Sequence, residues 1–205
     1  MSKTLQREQG EQIQSYIELM RADLAALALR SVRERIVIKK PHQTEIGDQV
    51  EIGEGTIIHP FSCLAGKTRI GKNCIIGPYA HIEDSDVGDG ARVSHMQLKR
   101  SQLADDAKAV HFGYVGDAKV GKGANIAAGV VTCNFDGKKK SRTIIAEKAF
   151  IGSGCMLVAP VEIGKGAYTA AGSTITSDVP PGALAIGRGR QENKPDWVEK
   201  RKKNT

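Results

Sequence analysis

The sequence predicts an all-β fold, a parallel β-helix of hexapeptide repeats, and three observations lead to it. An aliphatic residue recurs every six positions at Ile46, Ile52, Ile58, Leu64, Ile70, Ile76 and Ile82, and the phase resumes at Ile145, Ile151, Leu157, Ile163, Thr169 and Ile175. Four residues after each stands a small side chain: Val50, Thr56, Ser62, Thr68, Cys74 and Ala80, later Cys155, Val161, Ala167 and Ser173. Aromatic residues make up only 4% of the chain, which suits an interior too narrow for rings. A period of six matches neither a helix nor an alternating strand. It matches a solenoid that turns a corner after each short side. A Gly- and Val-rich antiparallel sandwich would instead alternate with period two and space its turns irregularly.

The elements follow in order. Residues 1–40 form a helix and lead-in, with the helix from residue 4 to about 30. Ile13, Ile17, Met20, Leu24 and Leu27 trace one face of it. That face has two open uses, capping the end of the coil or meeting its copies in other subunits. Residues 41–180 form the coil, whose spacing shortens through Val87, Val93, Leu98, Leu103, Val115 and Val120. Shortened sides change the surface along the coil, and function concentrates where a repeat departs from regularity. TCNFDGKKKSRT, residues 132–143, breaks the repeat and reads as a loop thrown out from the coil. After Val179, Pro180 and Pro181 end the ladder because proline lacks the N–H a strand donates. Residues 181–205 are a basic tail whose single Trp197 is expected to dock on a neighbouring subunit.

Composition narrows the function. The length allows one domain with a real core. Cys63, Cys74, Cys133 and Cys155 form neither a CxxC pair nor a disulfide framework, which points to reduced residues in a cytoplasmic protein. No apolar stretch is long enough to span a membrane, and the polar start MSKTLQREQGEQ lacks the core of a signal peptide. The formal charge of +7 is concentrated at Lys138, Lys139, Lys140 and Arg142 and again from Arg188 to Lys203. Such clusters attract phosphates. A nucleic-acid partner is not expected, because no recognition motif or interleaved aromatics accompany the charge. No metal is expected either: the histidines at 42, 59, 81, 95 and 111 show no ligand-pair spacing.

His111 stands apart. It lies in AVHFGYVGDAKVGKGANIAAGVVTCNFDG, the most irregular stretch of the chain. With sides of five or six residues a turn takes about seventeen, so His111 and Ala128 are expected on adjacent turns. An imidazole beside an open backbone suits acyl transfer: the ring takes a proton from an attacking amine, and an N–H meets the charge that develops on a thioester carbonyl.

The motifs VHFGYVGD, NIAAGVVTCNFDG, SRTIIAE, FIGS, LVAP and AAGSTIT resemble those of the C-terminal acetyltransferase domain of the bifunctional bacterial enzyme that makes UDP-N-acetylglucosamine from glucosamine 1-phosphate. The resemblance covers roughly Thr4 to the C-terminus and is weakest before His59. It implies a left-handed β-helix, a homotrimer with active sites between subunits, and acetyl-CoA as co-substrate. It further implies that His111 is the general base and that Asn134 contacts the acetyl-CoA side of the site. Ala128 would give a backbone N–H, while Phe135, Ser153, Ala171 and Arg188 would line the coenzyme groove. Lys99, Tyr114, Asn125 and Lys140 would hold the amino-sugar phosphate.

Two departures accompany the resemblance. About forty-five residues precede the coil, too few for the family's nucleotidyltransferase domain, so uridylyl transfer is not expected. The family's phosphate-clamping Arg is matched here by Glu83, a charge reversal for which Arg100 is a possible substitute. The sequence therefore predicts an acetyl-CoA-dependent N-acetyltransferase acting on an amino-sugar phosphate, glucosamine 1-phosphate or a related amino sugar. The alternative is a non-catalytic β-helix scaffold trimer.

Overall fold

The computed structural model describes residues 3–202, beginning with one long helix, Lys3–Glu34. A solenoid of parallel strands follows, in which three sheets of nine, eight and seven strands form its sides. The first sheet begins at Val37–Ile38 and ends at Leu184–Ala185, the second runs from Glu45–Ile46 to Thr174–Ile175, and the third from Glu51–Ile52 to Val161–Ile163. Strands are two to four residues long, because a side of six residues must also supply its corner. Register partners on adjacent turns are 18 residues apart at Ile57 and Ile75, 16 at Arg92 and Lys108, and 17 at Lys108 and Asn125. The shortened turns coincide with the irregular stretch seen in the sequence.

Each sheet contributes one inward column. Ile58, Ile76, Val93, Ala109, Ile126, Ile151 and Thr169 are successive partners on the first sheet. On the third sheet Ile52, Ile70, Val87, Leu103, Val120, Ile145 and Ile163 do the same. All are buried, as are the ten small residues from Val50 to Ser173 that follow the aliphatic positions. Stacking like on like removes apolar surface from water continuously along the axis, at roughly 25 cal/mol per Å². The ring-free interior is realised: Phe61, Tyr79, Phe112, Phe135, Phe150 and Tyr168 all project outward. Cys74 and Cys155 are buried, and all four cysteines are free thiols.

The boundaries differ from the sequence reading in informative ways. The ladder starts at Val37 and reaches Ala185, past the diproline, because Leu184 and Ala185 still pair with Tyr168 and Thr169. The excursion from the coil is shorter than residues 132–143: Thr132 and Thr143 are buried in strands, leaving 134–142 outside them. The last turns of the long helix meet the coil, where Arg30 donates to the Val50 carbonyl and Ile36 N–H bonds the Ser31 carbonyl. Leu24 and Leu27 are half-buried there, whereas Ile13 and Met20 stay exposed. Trp197 opens a short helix, Trp197–Lys202, and is exposed, with Arg201 over its ring. Among the described residues no helix is long and apolar enough to cross a membrane.

Candidate functional site

Two features of the coil surface gather the residues singled out in the sequence. The first is the corner between the first and second sheets. Register along the second sheet aligns Phe61, Tyr79, His95, Phe112, Gly129, Gly154 and Gly172 in one column, one residue per turn. Phe61, Tyr79 and His95 hold φ between 53° and 60°, and the three glycines hold φ near 70°. Six of the seven thus share one backbone shape, Phe112 being the exception, while the side chains change from rings to nothing. A non-glycine side chain in this left-handed region is strained. At Gly129, Gly154 and Gly172 the strain is absent and a trough is left along the corner.

The residues just before those glycines line the trough. Gly129 N–H donates to the Phe112 carbonyl at 2.7 Å, Gly154 to Ala128 at 2.7 Å, and Gly172 to Ser153 at 2.8 Å. His111, Ala128, Ser153 and Ala171 therefore occupy successive turns, as the seventeen-residue turn predicted for the first pair. The N–H groups of Ala128, Ser153 and Ala171 take no part in the turn-to-turn bonding among the described residues. Arg188 closes the row, its Cδ 3.9 Å from where a Cβ on Gly172 would stand. His111 is exposed at the other end. Side-chain-free glycines, unused N–H donors and a terminal cation together fit a thin, amide-bearing, phosphorylated ligand such as coenzyme A.

The second feature lies on the second sheet and its corner with the third. Glu83 and Lys99 are register partners, and Lys99 Nζ donates to Glu83 Oε2 at 2.6 Å. The Tyr114 side chain lies along its own strand over Gly116, so close that a Cβ there would meet the hydroxyl. Around the corner Arg100 holds Asp117 with two bonds of 2.7 and 2.8 Å. Asn134 Nδ2 donates to Asp117 Oδ2 and reaches the Tyr114 hydroxyl at 3.3 Å. The Arg100 guanidinium, then the Asn134 amide and the Lys140 charge, hold the Asp117 carboxyl below the usual carboxylate range against the opposing effect of its burial. Lys140 stands on the excursion, which is pinned as a hairpin by a Phe135–Lys140 bridge and by Asp136 Oδ1 accepting the N–H groups of Lys138 and Lys139, each at 2.8 Å.

One chain thus brings together Tyr114, Asn134, Lys99 and Lys140 on one patch, and His111, Ala128, Ser153, Ala171 and Arg188 along one trough. It does not bring Asn125 to either: that residue sits on the first sheet between Lys108 and Phe150. Phe135 is exposed on the excursion. Arg100, the alternative phosphate clamp, has its guanidinium paired with Asp117. Asp117 itself escaped the sequence reading although it ends VHFGYVGD. Its signal was there: an acid two residues after the aliphatic Val115 and seventeen, one turn, after Arg100.

Comparison with known proteins places these features in context. Residues 142–177 match the bacterial transferase hexapeptide repeat. The chain is 39% identical over 221 residues to the "Bifunctional protein GlmU" of Fervidobacterium nodosum, covering 88% of this chain and 49% of that protein. It is 42% identical over 201 residues to the protein of the same name from Caldanaerobacter subterraneus, covering 81% of this chain and 44% of that one. A solved structure of UDP-N-acetylglucosamine acyltransferase from Francisella novicida aligns with 17% identity and a TM-score of 0.45, over 74% of this chain and 67% of that one. The chain spans about half the length of the curated relatives it matches.

Proposed function

We propose that this hexapeptide-repeat transferase, akin to one half of the GlmU proteins, is an acetyl-CoA-dependent N-acetyltransferase acting on an amino sugar, glucosamine 1-phosphate or a close relative. The observation that supports it most is the juxtaposition of His111 with the unused Ala128 N–H at the head of the glycine trough. Acetyl-CoA supplies an activated acyl thioester. Ser153, Ala171 and Arg188 would receive its pantetheine and phosphate portions, and the exposed Phe135, on the excursion beyond the second sheet, would flank a coenzyme bound by another copy. Asn134 stands in the acceptor patch with Tyr114, at the corner of the second sheet away from the trough, so the acetyl-CoA contact expected of it would be made to a coenzyme bound by another copy.

In this reading the amine of the acceptor forms a bond to the acyl carbon, and the carbon–sulfur bond breaks. A ring nitrogen of His111 takes the proton lost by the amine and returns it to the departing sulfur. The Ala128 N–H meets the charge on the carbonyl oxygen, which is worth most when the donor is already in place. General-base catalysis of this kind contributes typically 10²–10⁴-fold. Asn125 fits the reading only if another copy supplies it, since the corner separates the first sheet from Tyr114. A homotrimer with its sites between subunits provides that, and mass measurement in solution tests it: an active monomer removes the shared site.

A scaffold trimer without catalysis is the second reading, favoured by one observation, the closure of Lys99 by Glu83. Thiol release from acetyl-CoA in the presence of a panel of amino sugars decides between them. Release dependent on an amino sugar supports the enzyme. None with any acceptor, in a folded protein, supports the scaffold.

A further inference from the structure

The corner column changes character at one residue, Phe112. Upstream of it the column is a row of rings: Phe61 and Tyr79 lie 5.0 Å apart with planes 9° from parallel, and His95 follows at 5.2 Å, tilted by 41°. Downstream it is the bare trough of Gly129, Gly154 and Gly172. Phe112 belongs by register to the stack, as the partner of His95 one turn on. Its ring nevertheless reaches forward, so that a Cβ on Gly129 would stand 3.4 Å from Phe112 Cε2. The ring is 68% exposed, so the coil's own packing does not hold it there.

The trough is therefore open toward Arg188 and closed toward the N-terminus by an aromatic wall. That wall stands immediately beside His111 and over the turn whose Ala128 N–H is unused. A thioester whose carbonyl reached that N–H would point its acyl chain into the space between His111 and the Phe112 ring. We propose that Phe112 is the stop that limits the acyl group to a short one, making it a specificity-determining residue for the donor. The proposal rests on the acyl-transfer reading given above. Phe61, Tyr79 and His95 continue the wall behind it, with ring centroids 5.0 and 5.2 Å apart, so a longer chain meets bulk rather than a second pocket.

The magnitude follows from how pockets discriminate by size. One methylene too many or too few changes kcat/KM by about 10–200-fold. The test compares acetyl-, propionyl- and butyryl-CoA, with thiol release as the readout, in the wild type, Phe112→Ala and Phe112→Leu. The wild type is expected to prefer acetyl-CoA over butyryl-CoA by at least about tenfold, Phe112→Ala to lose that preference by about tenfold or more, and Phe112→Leu to fall between. Because the ring is mostly exposed, both variants should keep the wild-type melting temperature. A wild type that uses butyryl-CoA as readily as acetyl-CoA overturns the proposal, and so does a Phe112→Ala variant whose butyryl-to-acetyl ratio stays within about twofold of wild type. A wild type that releases no thiol from any of the three donors overturns the acyl-transfer reading itself and this inference with it.

Discussion

Glu83 Oε2 lies 2.6 Å from Lys99 Nζ, and the two residues are partners on adjacent turns of the second sheet. His81 stands beside them, 3.9 Å from the same carboxylate. The consequence is electrostatic: Lys99 presents a compensated charge to any ligand on that patch, and Arg100 is likewise compensated by Asp117. Both side chains of the Glu83–Lys99 pair are about one-third exposed, so solvent weakens the pair without cancelling its effect on a nearby dianion.

Glu83→Gln should therefore release Lys99 and improve recognition of a phosphorylated acceptor. A charged hydrogen bond is worth about 1.5–3 kcal/mol, and about 1.4 kcal/mol is a factor of ten. The expected result is a KM for glucosamine 1-phosphate lowered by about tenfold, with the KM for unphosphorylated glucosamine unchanged. Glu83→Arg should act in the same direction. Equal effects on both sugars would mean that the pair does not face the phosphate.

His111→Ala should lower kcat by about a hundredfold or more, because a positioned base contributes typically 10²–10⁴-fold. Its exposed side chain supports nothing in the coil, so the melting temperature should not move. Isothermal titration with coenzyme A should give wild-type affinity. Near wild-type turnover would assign the base elsewhere.

Asp117→Asn tests the corner network. The Asp117 carboxyl has a lowered pKa in the folded state, caused first by Arg100. Such a group stabilises the fold fully above its unfolded pKa of about 3.9, and the contribution is lost as pH falls through the lower folded value. Wild-type protein should thus lose more thermal stability between pH 6 and pH 2 than Asp117→Asn does. At pH 6 the variant should also be the less stable of the two, and equal pH dependence would show that the ion pair contributes nothing to folding.

Gly116→Ala probes the acceptor patch from beneath. A methyl group there collides with the Tyr114 hydroxyl, which must swing away and abandon Asn134. The acceptor KM should rise by several-fold while coenzyme A affinity, measured by titration, stays constant. A change confined to coenzyme A binding would place Tyr114 in the wrong half of the site.

Much of this was legible in the sequence, for a physical reason. In a solenoid the side-chain period and the fold are the same fact, so Ile58 or Leu157 could be placed in the core from spacing alone, and His111 beside Ala128 from the length of one turn. What spacing does not encode is which of several neighbouring charges pair. Glu83, Lys99, Arg100 and Asp117 sit within reach of one another on three turns, and only coordinates show that Lys99 goes to Glu83 and Arg100 to Asp117. Phe112 was hidden for a related reason: its register puts it with the rings of Phe61, Tyr79 and His95, and only coordinates show that it leaves their left-handed backbone and reaches over the trough. The long helix, by contrast, was readable as a helix but not in its attachment, because its apolar face is longer than the coil end it meets.

The column of corner residues has a metric consequence. His111, Ala128, Ser153, Ala171 and Arg188 stand one per turn, and each turn advances the coil by one strand spacing of about 4.8 Å. Four steps place the imidazole and the terminal guanidinium roughly 19 Å apart along the axis. That span is graduated: the coil tolerates gain or loss of a whole turn without changing its cross-section, but not of a fraction. Adding one turn between Ala128 and Arg188 would leave every strand paired and lengthen the reach by a full graduation. The molecule is thus a gauge whose length can change only in whole increments.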